Sequence, residues 1–119
     1  MKNFKFLYVG FLISVFSCLG GTDCENLPSH YKSFNSAIQT IRAASFKIKE
    51  SVNTSKSSWV RGAFYYSCDG ITGFFILETD KQSYLYKGVP IEIWEGFKNA
   101  DSFGRFYDYN IKGRYQFEL

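Results

Sequence analysis

The chain has one histidine, His30, and three cysteines in 119 residues. His30 lies in a stretch read as leading into a helix, so a serine or cysteine nucleophile has no base beside it. C-x-x-C, H-E-x-x-H, Walker-type and calcium-loop patterns are missing, and with them the spacings that zinc, nucleotide and calcium sites use. Glycines 62, 70, 73, 88, 96, 104 and 113 are scattered rather than gathered into a phosphate cradle. No catalytic residue, metal ligand or cofactor is therefore assigned. A small hydrolase would have to work through carboxylates such as Asp69, Asp80 or Asp108.

A strong charge of one sign is also missing. The formal +3 includes Lys2 and Lys5, and without them 12 basic residues face 11 acidic ones. Over residues 57–119 the balance is −1. Such a surface lacks the cationic excess that dominates nucleic-acid affinity, so nucleic acid is a disfavoured partner.

What is present begins with a leader. Lys2 and Lys5 precede an apolar run, 6–16, broken only by Gly10 and Ser14. That run falls short of the about 20 apolar residues of a stable membrane anchor, and small residues follow it. Residues 1–24 are expected to be a secretory signal region, which puts the product in the periplasm or cell envelope. Two cuts compete. Val15-Phe16-Ser17-Cys18 resembles a bacterial lipobox, which would make Cys18 a lipidation site and membrane contact a matter of the lipid alone. Cleavage after Gly20 is the rival.

Either cut leaves Cys24 and Cys68 together in an oxidising compartment. A disulfide between them that closes a long loop is the expectation; two free thiols are the alternative, because spacing in sequence does not reveal whether their Cα atoms come within bridging range.

Residues 25–56 read as a helical segment and a linker. Tyr31, Phe34, Ile38 and Ile41 recur at helical spacing after Pro28 and Ser29, which suit a helix start. Phe46, Ile48 and Glu50 alternate as in a strand, and 52–58 has linker composition. Residues 57–119 form the main domain. Strands are expected over 59–67, 74–79 and 83–87, joined by the turn residues 68–73 and 80–82, giving an antiparallel meander. Gly88-Val89-Pro90 should end it, with Pro90 opening a helix. Ser102 can cap a second helix carrying Phe103, Phe106, Tyr107 and Ile111, closed by Gly113. The expected fold is thus α+β: a small antiparallel three-stranded meander followed by two short helices, with an additional N-terminal helix.

Ser57-Ser58, Tyr84-Leu85-Tyr86, Val89-Pro90, Ala100-Asp101-Ser102-Phe103-Gly104, Phe106-Tyr107, Ile111 and Tyr115 follow one another as in the KTSC domain. The stretch 57–117, roughly half of the chain, resembles that family. The family is named for the C-terminal extension of some lysyl-tRNA synthetases and also stands alone in bacterial proteins; RNA binding has been suggested for it. The leader and a Cys68-bearing connection longer than the family's usual turn point outside the cytosol. The resemblance therefore supports a fold more than an activity.

Aromatic residues are the remaining chemical signal, with two Trp, seven Tyr and seven Phe between 57 and 119. A core of this size cannot hide them all, and Tyr suits places where one end is buried and the other wet. Tyr84 and Tyr86 lie two apart on a strand and face the same way, so they are either a stacking platform or core beneath a helix. Glu92 and Glu95 share a helix face, where solvent is the expected neighbour. The candidate binding residues are Tyr84, Tyr86, Trp94, Arg105, Tyr107, Arg114 and Tyr115. They define a non-catalytic binding module at the cell envelope for a protein, peptide or glycan. A nucleic-acid-binding domain is the alternative and a small hydrolase the third.

Overall fold

The structure is a computed structural model that describes residues 22–119. The expected leader, with Cys18 and both expected cleavage sites, lies outside the described residues. After a short 3-10 turn, Cys24–Asn26, come helix α1 (Phe34–Ala43), strands β1 (Ile48–Ser51), β2 (Val60–Ser67), β3 (Thr72–Thr79) and β4 (Ser83–Pro90), then helices α2 (Ile91–Lys98) and α3 (Phe103–Asn110). The fold is α+β. Its sheet is an antiparallel meander in the order β1-β2-β3-β4, with one strand more than the three expected. The additional strand is β1, whose Ile48 pairs with Ser67 and Ser51 with Phe64.

Period-two alternation along the central strands sends apolar side chains to both faces of the sheet. Ala63, Tyr65, Phe75, Leu77 and Tyr86 face α2 and α3, where they meet Trp94, Phe97 and Ile111. Tyr66, Ile76 and Leu85 face the other way, onto Ala37, Ile38 and Ile41 of α1. Both faces are therefore covered, by α2 and α3 on one side and by α1 on the other. Burying a side chain of the size of Ile76 or Leu85 stabilises by about 1.5–3 kcal/mol, so the α1 layer is part of the core rather than an ornament.

Element boundaries follow local chemistry. α1 begins at Phe34 instead of directly after Pro28 and Ser29, because the Ser33 hydroxyl accepts from the Ser36 N–H at 3.1 Å and caps the helix there. Ser102 caps α3 in the same way, accepting from Arg105 N–H at 3.2 Å, as the sequence suggests. β4 runs on to Pro90, which stands just before α2 as its cap and not as its first helical residue. The strand continues past Gly88 through an irregularity opposite Gly73 and Phe75, where Gly88 adopts φ 72°. An L side chain at that angle is strained, so the bulge calls for glycine.

Cys24 and Cys68 are joined by a disulfide with Cα atoms 5.8 Å apart. The bond fastens the N-terminal segment to the turn between β2 and β3. Asp69 organises that turn by accepting from the N–H groups of Ile71 at 2.8 Å and Thr72 at 3.0 Å, and these bonds hold its carboxyl below the usual range. Ser45 extends the attachment, accepting from Cys24 N–H and donating to the Thr22 carbonyl, each at 3.0 Å.

Candidate functional site

Three of the expected ligand contacts are core residues. Trp94 is fully buried, stacked on Tyr65 at 5.4 Å and on Phe97 at 5.9 Å between ring centroids. Its indole N–H donates to Glu50 Oε1 at 2.8 Å. Tyr86 and Tyr107 are buried with their hydroxyls bonded to each other. Burial pushes both phenols up from the ordinary value, and the bond from Tyr86 adds to the rise at Tyr107. The reason is geometric, since α2 and α3 lie across the face that Tyr86 shares. Tyr65, which the sequence did not single out, behaves likewise. Its hydroxyl donates to the Val89 carbonyl at 2.7 Å, and burial pushes it up to about 12.

The remaining expected contacts are placed differently. Tyr115 is half-buried, and its carbonyl accepts from Lys87 N–H at 2.9 Å. Arg105 and Arg114 are exposed, and neither takes part in an ion pair among the described residues. Tyr84 is 36% exposed although Tyr86, two residues on, is 8% exposed. The pair shares one face of β4, but only its inner member is covered.

Tyr84 lies on the wall between two grooves. The first, about 330 Å³, is lined by Trp59, Asp80, Lys81, Tyr84, Asp108 and Lys112. Trp59 is 37% exposed and meets Tyr107 edge-on at 6.0 Å. It lies so close to the start of α3 that a Cβ at Gly104 would stand 2.5 Å from the indole nitrogen. Close approach of an aromatic ring is thus why this position of the Ala100-to-Gly104 run takes glycine. Asp80 and Asp108 share the groove, but both oxygens of Asp80 are engaged by Arg61, at 2.7 and 3.3 Å.

The second groove, about 730 Å³, follows the outer edge of β4 between the start of α1 and the C-terminal tail, with Phe34, Lys81, Ser83, Tyr84, Gln116 and Phe117 on its walls. In an antiparallel ladder, alternate residues turn their N–H and C=O groups to the neighbouring strand. Lys87 turns its N–H outward, to Tyr115, and Gln116 bridges Tyr86 in antiparallel fashion. By the same alternation Leu85 and Ser83 also turn outward, Leu85 opposite Phe117 of the tail and Ser83 one step beyond it. The expected meander already put 83–87 at an edge; what sequence reasoning missed is that the C-terminal tail returns to cover part of it. Phe34 and Trp59 were missed for a similar reason: their exposure is set by neighbours distant in sequence.

Among the described residues no three His, Cys, Asp or Glu side chains converge as metal ligands. No curated protein and no solved structure matches the chain. The match to a family model is shorter than the 57–117 stretch read from the sequence and leaves out α1, β1 and β2. It runs from Leu77 in β3 through β4, α2 and α3 to Tyr115, so over residues 77–115 this chain matches the KTSC domain.

Proposed function

We propose that this chain is a non-catalytic interaction module, exported to the bacterial cell envelope, that engages a protein or peptide segment at Tyr84. The observation that carries the reading is the position of Tyr84, an exposed ring on an outermost strand shared by two adjoining grooves. Tyrosine supplies apolar contact area together with a hydrogen-bonding tip, which suits recognition of a peptide. The even charge balance argues against nucleic acid. The engagement of Asp80 by Arg61 argues against a hydrolytic pair with Asp108, since a retaining or inverting mechanism needs both carboxyls free to exchange protons or attack.

Export rests on the leader, with lipid on Cys18 or a cut after Gly20 as the two routes. A disulfide between Cys24 and Cys68 supports an oxidising compartment.

Photo-reactive benzoylphenylalanine placed at position 84 of the full chain tests the interaction in intact cells. A discrete heavier adduct is expected at 84 and none at Glu92 on exposed α2; no adduct at 84, or the same adducts at both positions, rejects the reading. An intact mass of the fractionated protein tests the export. Cleaved protein in the envelope is expected, with acyl mass if Cys18 is used, and uncleaved protein in the cytosol overturns it.

A further inference from the structure

The β2–β3 turn lies where the chain enters the domain, because the disulfide sets the Cα of Cys24 5.8 Å from that of Cys68. Ile71, three positions beyond Cys68, is 65% exposed, more than any other large aliphatic side chain among the described residues. A single exposed isoleucine is ordinary on a protein surface. Its surroundings set this one apart.

The turn presents Ile71 on a backbone whose polar groups already have partners. Gly70 N–H donates to the Ser67 hydroxyl at 2.8 Å, and the N–H groups of Ile71 and Thr72 donate to one oxygen of Asp69. The Ile71 carbonyl accepts from Ile91 N–H at 2.9 Å and the Thr72 carbonyl from the Ser67 hydroxyl. Unpaired backbone groups are what keep irregular loops out of apolar surroundings, and these are satisfied within the protein. Lys47 lies along the same turn, with its Cδ and Nζ each 3.6 Å from where a Cβ at Gly70 would stand. It is exposed and takes part in no ion pair among the described residues. A lysine so placed can lay its methylenes on apolar surface and lift its ammonium to a phosphate.

The path of the chain says what faces this turn. Cys18 precedes Thr22 by four positions, and the Thr22 carbonyl accepts from Ser45 N–H at 3.0 Å. Four residues reach at most about 14 Å. A lipid on Cys18 would therefore hold this end of the molecule close to the bilayer. The opposite turn, 80–82, lies beyond the eight-residue strand β3, which spans about 23 Å. Asp23 and Glu25 flank Cys24, so the end is no cationic patch and its contact is led by the apolar tip.

We propose that the β2–β3 turn, with Ile71 at its tip and Lys47 alongside, is seated in the headgroup layer of the membrane that holds the lipid of Cys18. This goes beyond the interaction at Tyr84 and rests on the lipid route of export. The disulfide then has a second role, since it joins the anchored segment to the turn that meets the membrane.

The test uses the full chain in the membranes of a bacterial host, with benzoylphenylalanine at position 71 or, as the control, at 81. Irradiation is expected to add the mass of a phospholipid at 71, beyond the acyl mass on Cys18, and to add none at 81. The purified lipidated chain in nanodiscs gives a second reading. A nitroxide on the lipid headgroup should broaden the amides of 69–72 several-fold more than those of 80–82, and Ile71→Ser should shrink that difference. The side chain it removes is largely exposed, so the amide spectrum elsewhere should stay unchanged. No lipid adduct at 71, equal lipid adducts at 71 and 81, or equal broadening of the two turns overturns the seating. A protein adduct at 71 in place of lipid assigns the turn to a protein partner and also overturns it. If Cys18 carries lipid while 71 gives no lipid adduct, the anchored reading stands and only the seating is wrong. If Cys18 carries none, the lipid route and the seating fall together.

Discussion

The indole N–H of Trp94 donates to the carboxylate of Glu50 across 44 positions of sequence, at 2.8 Å. That bond ties the edge strand β1 to α2, and Lys98 reinforces it with a 2.9 Å ion pair to the same oxygen. Glu50→Ala would leave the donor of a fully buried ring unpaired, which costs about 1–3 kcal/mol. Glu50→Gln keeps an acceptor and loses only an exposed charge pair, for about 1 kcal/mol or less. Urea unfolding of the two variants should therefore rank alanine below glutamine below the unaltered chain.

The same carboxylate gives an acid-side signature. Its bonds from Trp94 and then Lys98 hold the Glu50 carboxyl below the usual range. A group whose pKa is depressed by folding contributes stability that is present above its unfolded value, about 4.3, and is lost as pH falls through the folded value. Melting temperature followed downward from pH 6 should fall more steeply below about pH 4 for the unaltered chain than for Glu50→Gln.

The alkaline side belongs to the buried tyrosines. Burial raises Tyr65, Tyr86 and Tyr107 above the ordinary value of about 10. Their contribution is complete below that value and is lost as pH rises above it, since the unfolded chain releases the protons more readily. Absorbance at the phenolate band should show these three phenols ionising only together with cooperative unfolding.

Gly104→Ala would drive a methyl group into the indole of Trp59, with 2.5 Å between Cβ and Nε1. Overpacking of this kind costs about 1–3 kcal/mol. Adding Trp59→Ala to Gly104→Ala should relieve part of that cost, so a double-mutant cycle should give a coupling clearly different from zero. Equal costs of Gly104→Ala with and without Trp59 would show that the close approach does not matter.

Breaking the disulfide should be costly because it closes a loop of 44 residues. The chain-entropy relation gives about 4 kcal/mol for a loop of that length. Thermal melts of the Cys24→Ser/Cys68→Ser variant and of the reduced chain should coincide at a temperature well below that of the oxidised chain.

Much of this fold could be read from local chemistry. The strand composition of 59–67 and 74–79, the turns between strands and the Ser102 cap all depend on neighbours within a few positions. The alternation of Phe46, Ile48 and Glu50 hinted at β1, but its place in the sheet did not show, because the strand is largely exposed, with only Ile48 partly covered, and its pairing with β2 leaves no local mark. Tyr84 and Tyr86 show the same divide at the site. Period two puts them on one face, but which of them α3 covers depends on where a helix some twenty residues later comes to rest. Trp94 stood open between core and binding surface for lack of any local hint that Glu50 would receive its N–H.

The link between Cys24 and Cys68 also sets a route for mechanical load. A pull applied through the N-terminal segment reaches Cys24 first and crosses to Cys68, just beyond the end of β2. The tension enters the meander at its middle turn and bypasses α1 and β1, which lie inside the closed loop. Tugging on that end would leave α1, β1 and β2, all enclosed by the closed loop, slack and would load β3, which is paired along both of its edges.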